Sequence, residues 1–566
     1  MKIVVRPYAE SDRVALVGAG VHPLLARLYA ARRIRSALEL QLDAGRLIAP
    51  AELTHAERAA QLLADAIEHG RRILIVADYD ADGATACAVG VRALRRFGAT
   101  VDYLVPDRFK LGYGLTPELV DLAHARRPDL LVTVDNGIAS IEGVARAKQL
   151  GIATLITDHH LPGDALPHAD CIVNPNQPGC AFASKALAGV GVMFYVMLAL
   201  RAELRRRGRF AGGSEPNLGA LTDLVALGTV ADVVPLDANN RILVAQGLKR
   251  LRSGRGNPGL VALLRIAGRH AAEANCFDLG FILGPRLNAA GRLADMSLGI
   301  ECLLADDEAR AANSAQELDR LNRERRQIES GMLEGAAAAL EALVEPPGAA
   351  VALFDAGWHQ GVVGILAARV REKLHRPAIC FARASNGELR GSGRSIPGLH
   401  LRDCLDLIAK REPGLLLRFG GHAQAAGLTI KESHHARFAA IFESTVAALL
   451  PEAQRLRVVE TDGELEPAYH SLDVAQMLES NIWGQGFPQP LFCDTFALES
   501  QRVVGGKHLK LQLSKDGKRL EAMRFGALDP LPAKLRAAYR ICVNEFDGLK
   551  SVQVVLEHVE NQPFRA

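Results

Sequence analysis

ILIVADYDADG (Ile73–Gly83), LLVTVDNG (Leu130–Gly137) and ATLITDHH (Ala153–His160) each end a short apolar run in acids, or in an acid followed by histidines. Runs this short and this rich in Val, Ile and Leu suit parallel strands buried on both faces, and Gly or Pro follows each one. Carboxyl ends of parallel strands meet along one edge of an open sheet, so these side chains can converge although they are distant in sequence. Between the runs lie the apolar helix ATACAVGVRALRRFG (Ala84–Gly98) and a second helix, IASIEGVARAKQLG (Ile138–Gly151), each stopped by glycine. Strand, helix, strand, helix, strand from Ile73 to Thr157 predicts a doubly wound α/β domain.

Outward from that domain, a mostly helical region extends from Gly189 to about Leu343, and GVGVMFYVMLAL (Gly189–Leu200) reads as a buried helix too short to span a bilayer. A proline-free stretch then predicts a long connector helix that breaks at EPPG (Glu345–Gly348), with Arg320, Arg323, Arg325 and Arg326 on a solvated face. AAVALFDAG, GVVGILAARVREKL and PAICFAR announce a second α/β unit that closes near LLPEAQ (Leu449–Gln454). From about Arg455 the texture changes to short alternating segments: RVVETDGELEP, CDTFALESQRVV, HLKLQLSKDGKRLEAMRFG, YRICVNEF and SVQVVLEHV. With KDGK and EFDG turns, these predict a small OB-like barrel of about five strands. The expected division is 1–50, a peripheral helical segment with the Arg-rich ARRIRSALEL solvated; 51–302, a catalytic domain; 303–345, the connector; 346–454, the second α/β domain; and 455–566, the barrel.

The 566 residues exceed what one core holds, and two to four domains are expected. A net charge of +3 supplies no overall field for a polyanion, so any such partner must use a local basic groove. Nine singly placed cysteines without a C-x-x-C pair argue against a thiolate zinc site and a disulfide framework. MKIVVRPYAESDRVAL has no apolar stretch behind its basic residues, so no secretory signal is expected and the protein reads as cytoplasmic.

Asp78, Asp80 and Asp82 alternate where the first strand ends, Asp135 ends the second, and Asp158, His159 and His160 end the third. Carboxylates with one or two imidazoles suit Mg²⁺ or Mn²⁺. Several acids in one mouth repel one another without cations, and two metals sharing a carboxylate is the economical arrangement for attack on phosphorus. DYDADG also opens like a calcium-binding EF-hand loop, but the twelfth position, where a bidentate Glu belongs, is Val89, and a strand precedes it.

DYDADG, VDNG, TDHH and GTVADVVPL (Gly228–Leu236), in that order, resemble the four motifs of the DHH phosphoesterase superfamily. LGPRLNAAGR (Leu283–Arg292), GWHQGVVGILAAR (Gly357–Arg369), GSGRS (Gly391–Ser395), FGGHAQAAG (Phe419–Gly427) and WGQGFPQPLF (Trp483–Phe492) resemble its single-stranded-DNA exonuclease branch over nearly the whole chain. Asn481-Ile482 departs from the Gly-Pro that the family's pattern has before that tryptophan.

The resemblance implies a DHH-type catalytic domain, a DHH-associated substrate-binding domain, and a 5′ to 3′ exonuclease that releases 5′-mononucleotides in DNA repair and recombination. It implies that Asp80 and Asp82 each serve one metal, that Asp135 bridges both, and that His159 and Asp232 complete the second. Asp78 is expected to ligate or support the first metal, His160 to face the scissile phosphate, and Asp158 to orient a histidine. Arg108, Ser392 and Arg394 are candidates for sensing a 5′-phosphate, since a guanidinium takes phosphate bidentately. Gly420, Gly421 and His422 are candidate substrate contacts in the cleft expected between the two α/β domains, and Arg286 and Asn288 are expected to track backbone phosphates. Lys507, His508, Lys510, Lys515, Lys518 and Arg519 offer the barrel a basic surface, with Phe487, Phe492 or residues elsewhere as stacking candidates.

A single-strand-binding protein and a helicase are partners the family implies, and a monomer is expected. Two rival readings remain: a hydrolase for very short oligonucleotides or cyclic dinucleotides, against which the extra barrel speaks, and a non-catalytic strand-binding scaffold, which should have lost ligands.

Overall fold

The computed structural model describes residues 2–108, 110–213, 215–341, 348–384, 387–546 and 548–560. Glu345, Pro346 and Pro347 of the expected helix stop and Asp547 of the EFDG turn lie outside them. The described residues form two compact units, one within 5–321 and 461–559, the other within 322–460 together with residues 2–4 and 560.

After β1 (Lys2–Val5), the first unit contains a parallel sheet of β2 (Arg72–Ala77), β3 (Thr100–Leu104), β4 (Leu130–Val134), β5 (Ala153–Thr157) and β6 (Cys171–Val173), in the order β3-β2-β4-β5-β6. The three acid-tipped runs are the adjacent central strands, which is why they bury almost every residue. The sequence pattern missed β3, the helix Pro117–His124 and β6. Edge strand β3, TVDYL, is half-exposed and carries Asp102, so it lacks the continuous apolar run that marks its neighbours.

Helix Gly189–Arg206 is buried against this sheet's core through Val190, Met193, Tyr195 and Met197. No described helix is long and apolar enough to cross a membrane. The expectation of a peripheral N-terminus fails at the helix Pro23–Ala30 and the turn after it: Leu24, Leu28 and Ile34 are buried, and Arg32 is only 8% exposed. Arg32 is held there by both Asp462 oxygens, at 2.9 and 3.0 Å, and by the carbonyls of Leu28 and Pro488. Asn481, the departure before Trp483, accepts a hydrogen bond from Tyr29 Oη and donates to Met477 O.

The second unit has a mixed sheet of β7 (Val351–Phe354), β8 (Ala378–Arg383), β9 (Glu388–Arg394), β10 (Arg418–Gly421) and β11 (Ala425–Lys431), ordered β10-β11-β9-β8-β7. Only β7 and β8 run parallel. Strand β12 (Val458–Thr461), expected in the barrel, pairs with β1 instead. Arg325 is also not solvated: it is 8% exposed and bonded to Glu329 and Asn322, whereas Arg320 does lie on the surface, paired with Glu317.

β13 (Phe492–Val504), β14 (His508–Lys515), β15 (Lys518–Arg524), β16 (Lys534–Phe546) and β17 (Leu549–Val559) close into a barrel in the order β13-β14-β15-β17-β16. Much of the expected basic surface is already engaged. Lys515 is paired with buried Asp494, Lys510 with Glu521 and Arg519 with Glu499, while Lys518 donates to the carbonyls of Pro467 and His470. Phe487 and Phe492 cannot stack on bases, being 3% and 0% exposed.

Candidate metal centre

Strand β2 ends at Ala77, and helix Ala81–Arg96 begins after only three intervening residues. Asp80 and Asp82 are therefore not alternate strand positions: Asp80 is the helix N-cap, accepting from the amides of Asp82 (2.9 Å) and Gly83 (3.0 Å). Asp82, one residue into the helix, turns to the start of helix Gly189–Arg206 and accepts from the amides of Gly189 (2.6 Å) and Val190 (2.9 Å). One carboxylate thereby joins two helix beginnings, where negative charge is favoured.

Asp135 follows β4 with φ 63°, an uncommon backbone for a non-glycine residue, and its amide donates to Thr157 O at 3.0 Å. Asn136 secures the turn by donating to Val76 O (3.2 Å) and Val134 O (2.9 Å). Asp158, after β5, accepts from the amides of Ile138, His159 and His160, and its Oδ1 lies 2.8 Å from His160 Nδ1. The structure thus makes Asp158 the group that orients His160. Asp232 caps the C-terminus of helix Thr222–Ala231.

These acids converge. Ligand atoms of Asp78, Asp80 and Asp135 lie within 4.8 Å of one another, as do those of Asp82, His159 and Asp232, and those of Asp135, His159 and His160. His159 Nε2 is 3.1 Å from Asp135 Oδ1, 3.5 Å from Asp232 Oδ2 and 4.0 Å from Asp82 Oδ2.

Burial first, and the neighbouring carboxylates second, push Asp78, Asp135 and Asp232 well above the usual carboxylate range and Asp82 up to about 7. Burial alone draws His160 down, but the hydrogen bond and charge of Asp158 outweigh it and raise the imidazole to about 9. A buried set this rich in oxygen donors, with Asp78 Oδ1 lacking a hydrogen-bond partner among the described residues, fits two hard divalent cations.

Two tyrosines escaped the sequence reading. Tyr113 Oη lies 3.2 Å from both Asp135 O and His160 Nδ1, and the Arg108 guanidinium covers the Tyr79 ring at 4.7 Å. The available signal was the K-L-G-Y-G stretch, where Gly112 and Gly114 take φ 74° and 80° on either side of Tyr113 and its hydroxyl reaches His160.

Two expected phosphate contacts have other work. Arg286 is 8% exposed and committed to Asp319 at 2.8 Å and to Ile282 O at 2.7 Å. Asn288 Oδ1 accepts from Ala81 N at 2.8 Å, which places it on the turn between Asp80 and Asp82. Within the second unit, β9 pairs with β11 so that Ser392 faces Gly427 and Arg394 faces Ala425, and His422 N donates to Ala425 O at 2.7 Å in the β10–β11 turn. Arg394 bonds Ser392 Oγ at 3.0 Å, and burial lowers its affinity for its proton.

The DHH family, N-terminal domain, matches residues 72–229; the DHHA1 domain matches 347–448; and the RecJ OB domain matches 461–558. The single-stranded-DNA-specific exonuclease RecJ of Escherichia coli is 49% identical over 565 residues, covering 97% of this chain and 98% of its own. The chain belongs to the RecJ family. The Bacillus subtilis RecJ is 34% identical over 569 residues, 97% of this chain and 69% of that one. The crystal structure of Thermus thermophilus RecJ in complex with Mn²⁺ superposes with a TM-score of 0.82 at 30% identity, covering 100% of this chain and 80% of that one. Its Mg²⁺ complex gives 0.77 at 28% identity, covering 100% of this chain and 78% of that one.

Proposed function

We propose that the chain is a metal-dependent exonuclease that hydrolyses single-stranded DNA from the 5′ end to 5′-mononucleotides, acting in DNA repair and recombination. The observation that carries this reading is the convergence of Asp78, Asp80, Asp82, Asp135, His159 and Asp232 at one sheet edge, in a chain that also has a closed barrel. RecJ relatives named as single-stranded-DNA-specific exonucleases, and RecJ structures holding Mn²⁺ or Mg²⁺, support it.

Asp78, Asp80 and Asp135 would hold one ion, and Asp82, Asp135, His159 and Asp232 the other. Two such ions, when bound, neutralise phosphate charge and make water nucleophilic at neutral pH. His160, oriented by Asp158 and held beside Tyr113, is read as facing the scissile phosphate and stabilising the charge that develops there. Asp82 is fixed in place by two amides, and Asp135 by its strained turn, so the acids need little rearrangement to receive cations.

Arg108, Ser392 and Arg394 are read as recognising the 5′-phosphate, and Gly420, Gly421 and His422 as approaching the strand. Residues 51–302 would form the catalytic domain, 346–454 the substrate-binding domain and 455–566 the strand-binding domain, joined by the connector 303–345. A single-strand-binding protein and a helicase are read as partners of a cytoplasmic monomer.

Asp135→Ala tests the site. Hydrolysis of a 5′-phosphorylated single strand in Mn²⁺ should vanish while strand binding largely survives, and unchanged degradation overturns the assignment. Strands with blocked 3′ ends should be degraded as fast as unblocked ones; protection by the 3′ block overturns the polarity.

A further inference from the structure

We propose that Phe277 and Phe281 form a base-stacking platform for the single strand, set between the barrel and the metal-ligating acids. The inference rests on the exonuclease reading above and adds a site to it. The two rings stack with centroids 5.0 Å apart and planes 23° from parallel, yet the residues remain 55% and 65% exposed. Large aromatics left this open mark interaction surfaces, and every base offers a π-face to them.

Local sequence explains the presentation. Pro285 lacks the N–H that would donate to Phe281 O, and its ring crowds that carbonyl, so the helix widens into a π-turn over Asp278–Leu283 before resuming as Gly284–Leu293. Leu279 and Leu283 go into the core, which leaves the phenylalanines outward.

The turn is anchored on both sides. A Cβ on Gly280 would lie 3.2 Å from Val230 Cγ1, and one on Gly284 would lie 3.1 Å from Ala231 Cβ, so the turn packs directly on the residues that precede the metal ligand Asp232. On the other side, Arg269 pairs with Asp278 at 2.7 Å, and Lys550 of β17 reaches Glu273 at 2.7 Å, joining the preceding loop to the barrel. Phe487 and Phe492 are buried, whereas Phe525 and Phe546 at the ends of β15 and β16 are 55% and 72% exposed, so Phe277 and Phe281 would continue toward the metal ligands an aromatic surface that the barrel also presents.

The test compares wild type with Phe277→Ala/Phe281→Ala on two substrates: a 5′-phosphorylated oligothymidylate, and the same length with abasic sugars replacing internal bases. For the thymidylate, KM should rise about tenfold or more with kcat little changed, whereas the abasic strand should show nearly equal KM in both proteins. Equal KM for the thymidylate overturns the proposal, and so does an equal loss on both strands.

A second readout uses Phe281→Trp in EDTA. Its fluorescence should be quenched by thymidylate and not by the abasic strand; binding of both strands without quenching overturns the proposal. A variant that changes oligomeric state while keeping strand affinity assigns the rings to a self-contact and refutes a base platform. Failure of the exonuclease reading looks different, because wild type itself would then leave both strands intact.

Discussion

Replacing Asn288 with alanine separates two roles for this residue. Its Oδ1 accepts from Ala81 N at 2.8 Å, and Ala81 is 1% exposed between the proposed metal ligands Asp80 and Asp82. The next amides of that helix are satisfied by Asp80 itself, so Asn288 supplies what the helix cannot supply from its own cap. Asn288→Ala leaves a buried N–H without a partner, which costs about 1–3 kcal/mol. The turn can relieve that cost only by moving, and both acids move with it; a displacement near 1 Å is worth about 100-fold in rate. The expected result is a rise of tenfold or more in the Mn²⁺ concentration needed for half-maximal hydrolysis, together with a lower urea midpoint. The assay titrates Mn²⁺ at saturating single strand, then titrates strand at saturating Mn²⁺. A raised KM for DNA with unchanged Mn²⁺ dependence would refute this reasoning and return Asn288 to the phosphate backbone.

Gly189→Ala should abolish high-affinity Mn²⁺ binding by calorimetry, because the new Cβ would lie 2.6 Å from Asp135 Oδ1; wild-type affinity would contradict the close approach. Arg32→Met removes the main counter-charge of Asp462, whose side chain, like that of Arg32, is 1% exposed, and should cost about 3–5 kcal/mol in urea unfolding. A loss below about 1 kcal/mol would show that Arg6, also paired with Asp462, suffices. His470 is buried beside Tyr539, with Nε2 3.0 Å from the hydroxyl, and burial holds its pKa below the ordinary value. The unfolded chain therefore takes up this proton first as pH falls through about 6.5, so the contribution is full above that pH and is lost on acidification towards the depressed folded value. Urea midpoints at pH 7.5 and 5.0 should differ less in His470→Gln than in wild type; identical differences would exclude the histidine.

The sequence by itself determined the central sheet and the meeting of its acid tips. Strands β2, β4 and β5 are buried on both faces and so had to be continuous apolar runs, and their acid tips had to meet because parallel neighbours end along one edge. The resemblance to the DHH superfamily added Asp232 as a candidate, since it sits at an ordinary helix end with no local sign that sets it apart. β3 stayed hidden because an edge strand needs no unbroken apolar run.

Only the tertiary structure decided which charges were spoken for. Arg32 and Arg325 read as solvated cations, and Arg286 and Lys515 as contacts for a nucleic acid strand, yet each meets a carboxylate across a packed interface or one helical turn. Sequence spacing cannot express the long-range pairings, such as Arg32 with Asp462, 430 residues away. The same limit hid Tyr113 and the capping role of Asn288, since a hydrogen bond from residue 288 to residue 81 exists only once the helices have packed. Composition and periodicity record what a residue prefers. Burial and distance, which fix what it does, belong to the folded chain.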